Sequence, residues 1–289
     1  MPGGSVSDGS VRGKSILVTG GGSGIGRGIA EMLAADGAVV TVVGRNRDRL
    51  EAAADEITSG ITGGGRVHAA VADITDEDQV VAAVATAVGH TGRLDGVVAC
   101  AGGSETIGPI TQIDSNAWRN TVDLNVNGTM YTFKHAAREL VSGGGGSMVA
   151  ISSIAASNTH RWFGAYGVTK SAVDHLVALA ADELGASNVR VNGIRPGLTR
   201  TELVALVLDS PELSADYREA TPLPRVGEVT DIAELAAFLL GDASTWITGQ
   251  VINVDGGQML RRGPDYGSML DPVFGADGLR GVVAPATEG

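Results

Sequence analysis

Short, solidly apolar runs alternate along this chain with longer stretches in which apolar residues recur at helical spacing. The runs at 15–19, 38–43, 66–72, 94–99, 147–152, 189–194 and 251–254 are rich in Val, Ile and Ala and read as strands. The stretches at 26–36, 47–58, 76–90, 115–142, 165–184 and 231–240 read as helices. A strand with one wet face alternates polar and apolar residues, whereas a strand covered on both faces does not. Unbroken apolar strands in strict alternation with helices therefore predict an α/β fold, a doubly wound parallel sheet in a single domain. Two segments break the rhythm. Residues 199–227 hold three prolines and read as loops with short helices. Residues 258–289, rich in Gly and Pro after the last strand, are expected to form a loosely packed tail. Residues 1–13 read as a flexible N-terminal segment, which leaves 14–257 as the domain.

Composition narrows the choice of partners. Aromatic residues make up only 4% of the 289 positions, so the core must be built from Ala, Val, Leu and Ile. A formal net charge of −12 sets up a field that repels phosphate backbones and anionic lipid. Nucleic acid and membrane surfaces are therefore excluded as main partners, and a small molecule is expected instead. No apolar stretch is long enough to span a bilayer, and the N-terminus lacks the apolar segment of a signal peptide. The single cysteine, Cys100, rules out an intrachain disulfide and fits a cytoplasmic location.

The first candidate chemistry lies between the first strand and first helix, in Thr19-Gly20-Gly21-Gly22-Ser23-Gly24-Ile25-Gly26. A phosphate must approach backbone N–H groups at a helix N-terminus, and side chains there would block it. The strict Gly-x-Gly-x-x-Gly string is absent, but the strand–loop–helix context is the one a dinucleotide needs. At the end of the second strand, where a carboxylate would bind ribose hydroxyls, stand Gly44 and Arg45. A guanidinium there suits a 2′-phosphate, which favours NADP over NAD. Asp73, after the third strand, either accepts from an adenine amino group or serves a helix N-terminus.

The second candidate is Tyr166-Gly167-Val168-Thr169-Lys170. Residues four apart share a helix face, so Lys170 is expected beside the Tyr166 ring, where a cation would lower the phenol's pKa and suit it to proton transfer. Ser152 and Ser153 end the strand before this helix, where parallel sheets bind ligands. Asn125 sits within the 115–142 helix, where Asn is a poor helix former; a local backbone bond or solvent exposure would each explain it.

Taken together, these pieces resemble the short-chain dehydrogenase/reductase family over most of the chain, from about Ser10 to Gly257. Thr19–Gly26 looks like its cofactor glycine motif, with Gly20, Gly22, Ser23, Gly24, Ile25 and Gly26 as contacts. Asn125, Ser153, Tyr166 and Lys170 match its catalytic tetrad. Pro196, Gly197, Leu198 and Thr201 match its nicotinamide-side loop, and 247–257 resembles its closing strand. The stretch 224–257 is also similar to 3-oxoacyl-carrier-protein reductases. The resemblance implies a Rossmann-type, NAD(P)-binding homotetramer with no metal ion. It further implies that Tyr166 protonates the substrate oxygen, Ser153 orients it, Lys170 lowers the phenol's pKa and holds the nicotinamide ribose, and Asn125 helps hold a water chain. One departure stands out. The family usually carries Asn-Asn-Ala-Gly after the fourth strand, where this chain has Ala99-Cys100-Ala101-Gly102. Ala101 and Gly102 keep the turn, but the asparagine hydrogen bonds are gone. Arg195 is likewise less usual and is expected in a structural ion pair.

Residues 154–163 should border the substrate, with Trp162 and Phe163 either offering apolar contact or packing in the core or a subunit interface. Segment 199–227 is the expected lid. The function that follows is hydride transfer between a nicotinamide and a ketone or secondary alcohol. The alternative is a catalytically weak, cofactor-binding regulator or scaffold of the same fold, and a nucleotide-sugar epimerase is disfavoured by the short substrate region.

Overall fold

A computed structural model describes residues 11–261, 263 and 265–283. Seven parallel strands form one sheet in the order β3-β2-β1-β4-β5-β6-β7. They are β1 (Ser15–Thr19), β2 (Val39–Gly44), β3 (Arg66–Val71), β4 (Gly96–Ala99), β5 (Gly146–Ile151), β6 (Val189–Pro196) and β7 (Val251–Val254). The order reverses between β1 and β4, and at that switch point the connecting loops diverge and leave a crevice at the carboxyl ends of the strands.

Successive side chains along each strand feed opposite cores, which explains why the strands are apolar throughout. On one face Ile16, Val18, Val98, Val149 and Ile151 pack under α1 (Gly24–Ala35), α2 (Arg47–Gly60) and α9 (Val229–Leu240). On the other face Leu17, Val97, Ala99, Met148 and Ala150 pack under α3 (Glu77–Thr91), α5 (Gly128–Ser142) and α6 (Ala165–Leu184). The expected doubly wound α/β domain is thus the observed one. Both cores are lined largely by Ala, Val, Leu and Ile, as the scarcity of aromatics requires.

Three boundaries differ from the sequence pattern. Residues 1–10 of the N-terminal segment lie outside the described residues, but Val11 is fully buried against the α1 side, so the packed domain begins before Lys14. The helix read at 115–142 is interrupted. α4 (Ser115–Val122) and α5 are joined by one wider turn over Asp123–Asn127, a π-type insertion that holds Asn125. Period alone cannot register such a turn, because the apolar face resumes after it. The larger difference is the C-terminal segment, whose described residues up to 283 are not a loose tail. After a short turn at Gln258–Leu260, α10 (Gly267–Leu279) kinks at Gly275 and packs back on the domain. Tyr266 and Leu270 are buried there with Leu213 and Tyr217 of α8 (Pro211–Ala220), forming a third apolar cluster. Glycine and proline content suggested looseness, while three large side chains (Tyr266, Leu270 and Phe274) supplied the burial that fixes the segment. The 199–227 stretch holds α7 (Ala205–Asp209) and α8, the short helices expected of it.

Candidate active site

A cleft of about 1020 Å³ opens at the switch point. Its floor is the loop between β1 and α1. Gly20 takes a left-handed φ of +70°, and a Cβ on Gly26 would stand 2.3 Å from the Gly20 carbonyl oxygen. Only glycine lets the helix start this close to the strand. Ser23 precedes α1 without a side-chain capping bond, so it leaves the amides of the first turn to a ligand. This cradle fits the pyrophosphate of a dinucleotide, and Gly20, Gly22, Ser23, Gly24, Ile25 and Gly26 all line the cleft.

At the β2 end, Arg45 is mostly exposed and lies 3.9 Å from Asp73. Asp73 also accepts hydrogen bonds from the Thr75 amide and hydroxyl, at 3.0 and 2.8 Å. Both expected residues line the same end of the cleft, with Asn46 and Arg49 beside them. Arg49 reaches across to Glu202 at 2.6 Å, a bridge between α2 and the 199–227 segment that sequence spacing could not have suggested.

The missing asparagines after β4 are compensated from β1. The amides of Cys100 and Ala101 both donate to the Thr19 hydroxyl, at 3.0 and 3.1 Å. One hydroxyl acceptor thus pins the turn that carries Ala101 and Gly102 along the cleft wall. Burial pushes the Cys100 thiol up to about 12, and the nearby Lys170 ammonium opposes that only weakly. Cys100 thus keeps its proton and packs against the α1-side core.

Asn125 is fully buried. Its carbonyl oxygen accepts from the Gly103 amide at 2.9 Å, and its amide donates to the Gly103 carbonyl at 2.8 Å and to the Thr169 hydroxyl at 2.9 Å. Of the two readings, local backbone bond or exposure, the first applies, but the backbone is that of another loop. Both amide hydrogens are spent, so the side chain has no donor left for a water chain.

Ser153, Tyr166 and Lys170 converge on the cleft from the end of β5 and the first turns of α6. The Ser152 hydroxyl donates to the Lys170 carbonyl at 3.2 Å, which fixes α6 against the strand end. Lys170 is buried and donates to the Ile151 carbonyl at 2.8 Å. Its ammonium stands 5.7 Å from the Tyr166 ring centroid. Burial lowers this amine to about 8. The Tyr166 phenol moves the other way: burial raises it, and a hydrogen bond from Ser153 opposes the rise. The net fall expected of the phenol is therefore not seen in the cleft as it stands. Loss of water outweighs the Ser153 hydrogen bond, and the phenol is kept protonated.

Pro196, Gly197, Leu198 and Thr201 form the opposite lip. Thr201 lies 3.4 Å from where a Cβ on Gly24 would stand, so this lip faces the glycine loop directly. Arg195 is paired with Asp174 at 2.8 Å, the structural role expected of it. Trp162 and Phe163 divide the roles left open for them. Phe163 lines the cleft and meets the Tyr166 ring edge-on at 5.3 Å. Trp162 has a left-handed φ of +62°, turns away and donates to the Leu279 carbonyl at 3.4 Å. Tyr217, Tyr266 and Met269 also line the cleft. Nothing in the sequence brought the last two to the site, because they come from the segment read as a tail.

A family described as enoyl-(acyl carrier protein) reductase matches residues 20–259 of the chain. The chain belongs to the short-chain dehydrogenase/reductase family. It is 36% identical over 246 residues to 7alpha-hydroxysteroid dehydrogenase of Escherichia coli K12, covering 85% of this chain and 94% of that protein. A short-chain type dehydrogenase/reductase from Mycobacterium ulcerans is 66% identical, with a TM-score of 0.93 over 94% of this chain and 99% of that one. A 7alpha-hydroxysteroid dehydrogenase solved with NADH and 7-oxo glycochenodeoxycholic acid is 35% identical, with a TM-score of 0.82 over 88% of this chain and 98% of that one. This short-chain dehydrogenase/reductase is accordingly an NAD(P)-dependent oxidoreductase acting on a carbonyl or secondary alcohol. Among the described residues of the enzyme, no helix is long and apolar enough to cross a membrane.

Proposed function

We propose that this enzyme reduces ketones with NADPH, using Tyr166 as the proton donor. The observation that carries the reading is the convergence of Ser153, Tyr166 and Lys170 on the cleft that the glycine loop also lines. A nicotinamide bound there supplies the hydride. Ser153 and Tyr166 hold the carbonyl oxygen by hydrogen bonds, and Tyr166 gives it the phenolic proton as the carbon is reduced. A phenol raised by burial remains protonated at neutral pH and is suited to that donation. Lys170 supplies a buried cation beside the phenol, and a charge there stabilises the phenolate left after transfer. Asn125 is a positioning residue: it ties the 103 loop to α6 through Gly103 and Thr169.

Arg45, just after β2 and free on most of its surface, favours NADP over NAD, since its guanidinium would pair with a 2′-phosphate. Asp73 serves the adenine side. Gly20, Gly22, Ser23, Gly24, Ile25, Gly26, Ala101, Gly102, Pro196, Gly197, Leu198 and Thr201 surround the rest of the dinucleotide. Segment 199–227 acts as the lid, held to α2 by the Arg49–Glu202 pair. We place the enzyme in the cytoplasm as a homotetramer assembled through α4, α5 and α6; Val168 and Leu179 leave apolar side chains exposed on α6 in support. The deciding experiment is Tyr166→Phe, which should abolish ketone turnover while NADPH binding, read by cofactor fluorescence, stays nearly intact. Unchanged turnover would remove Tyr166 from the mechanism.

A further inference from the structure

Two buried phenols close the cleft at the end remote from the glycine loop. The Tyr217 and Tyr266 hydroxyls lie 2.7 Å apart, and both residues line the cleft. Each phenol carries one O–H to donate. Their mutual bond uses one of the two hydrogens, so the phenol that accepts keeps its own. Among the described residues neither hydroxyl has another hydrogen-bond partner. Burying a hydroxyl hydrogen without an acceptor is costly. Phenylalanine at both positions would give the same apolar packing without that cost. The partly buried side chains packed against this cluster, Trp162, Phe163, Leu198, Val207, Phe274 and Leu279, offer no oxygen acceptor.

The pair is close to the reacting group. Two successive ring contacts of 5.3 Å run from Tyr166 through Phe163 to Tyr266. The space beside that aromatic wall suits a ring-sized substrate. Tyr266 also lies beyond residue 259, where the family match ends, so this feature belongs to the chain's own C-terminal segment.

We propose that the Tyr217–Tyr266 pair determines specificity, its uncommitted hydroxyl hydrogen binding a second oxygen on a ring ketone or ring alcohol, remote from the reacting carbon. The inference rests on the oxidoreductase reading above and deepens it. The substrate class is a cyclic ketone or secondary alcohol carrying a further ether, carbonyl or hydroxyl oxygen.

The test compares 3- and 4-methoxycyclohexanone with 3- and 4-ethylcyclohexanone, which have the same shape without the oxygen. For the wild-type enzyme with NADPH, kcat/KM should favour the methoxy ketone by ~10-fold at one ring position or both, the worth of one hydrogen bond. The double variant Tyr217→Phe/Tyr266→Phe should lose this preference, its methoxy-to-ethyl ratio of kcat/KM falling to near one at both positions. Each single variant should lose less, because the remaining hydroxyl can turn to the substrate. Wild-type ratios near one at both positions would overturn the proposal without any variant, so a misfolded double variant cannot shelter it. A preference retained by a folded double variant would overturn it too. Failure to oxidise or reduce any alcohol or ketone with either cofactor would instead remove the oxidoreductase reading, and the inference with it.

Discussion

Replacing Lys170 with Met should raise stability at neutral pH and lose activity, and the stability gain should fade as pH rises. Lys170 is 5% exposed and its ammonium has one protein acceptor, the Ile151 carbonyl at 2.8 Å. Burial lowers the amine from 10.5 to about 8. Below pH 8 the group is charged in both folded and unfolded chains, and the folded state bears the burial cost. Between pH 8 and 10.5 only the unfolded chain keeps the proton, so folding becomes more favourable as pH climbs through that window. At 1.36 kcal/mol per pH unit the cost below pH 8 is ~3 kcal/mol. Met fills a similar volume, carries no charge and gives up one hydrogen bond worth ~1 kcal/mol. The variant should therefore be more stable than wild type by ~2 kcal/mol at pH 7. That advantage should shrink by ~2 kcal/mol between pH 8 and 9.5, as the wild-type amine is released from its charge. Urea unfolding followed by tryptophan fluorescence, at one protein concentration and several pH values, measures the gap. Parallel wild-type and variant curves across pH 6–9.5, or a variant less stable at pH 7, would refute the reasoning. A confirmed crossing trend would mean that the enzyme sustains a buried cation at the expense of its own stability, a trade typical of functional sites.

Two further outcomes test the rest of the cleft. Arg45→Ala should weaken NADPH by ~10-fold or more in a fluorescence titration and leave NADH nearly unaffected, since only the 2′-phosphate needs the guanidinium; equal losses for both would end the 2′-phosphate role. Asn125→Ala should cost ~2–4 kcal/mol in chemical denaturation, because it strands the Gly103 amide and carbonyl, and should lower kcat more than it raises KM; an unchanged unfolding midpoint would show that the three bonds carry no weight.

The strand–helix alternation was legible because burial on both faces demands apolar strands, and that demand acts locally, residue by residue. The glycine loop was legible for a similar reason: a helix cannot begin within touching distance of a strand unless Gly26 lacks a side chain. The pair Tyr166 and Lys170 was readable from helical spacing, and Ser153 from its place at a strand end. What spacing could not give was the balance of forces on those groups. Dehydration of the cleft is a sum over many distant neighbours, and it raised the phenol where the adjacent cation alone suggested a fall. The Thr19 hydroxyl that replaces the absent asparagines comes from a strand about 80 residues away in sequence, and no local pattern links them. The C-terminal segment shows the same limit most clearly. Its glycines and prolines describe a chain with little structure of its own, while Tyr266 and Leu270 found an apolar surface on α8 that only the assembled domain offers. Local chemistry thus determined the fold and which polar side chains meet at the strand ends; the depth of burial, and the C-terminal residues that join the cleft, were decided by long-range packing.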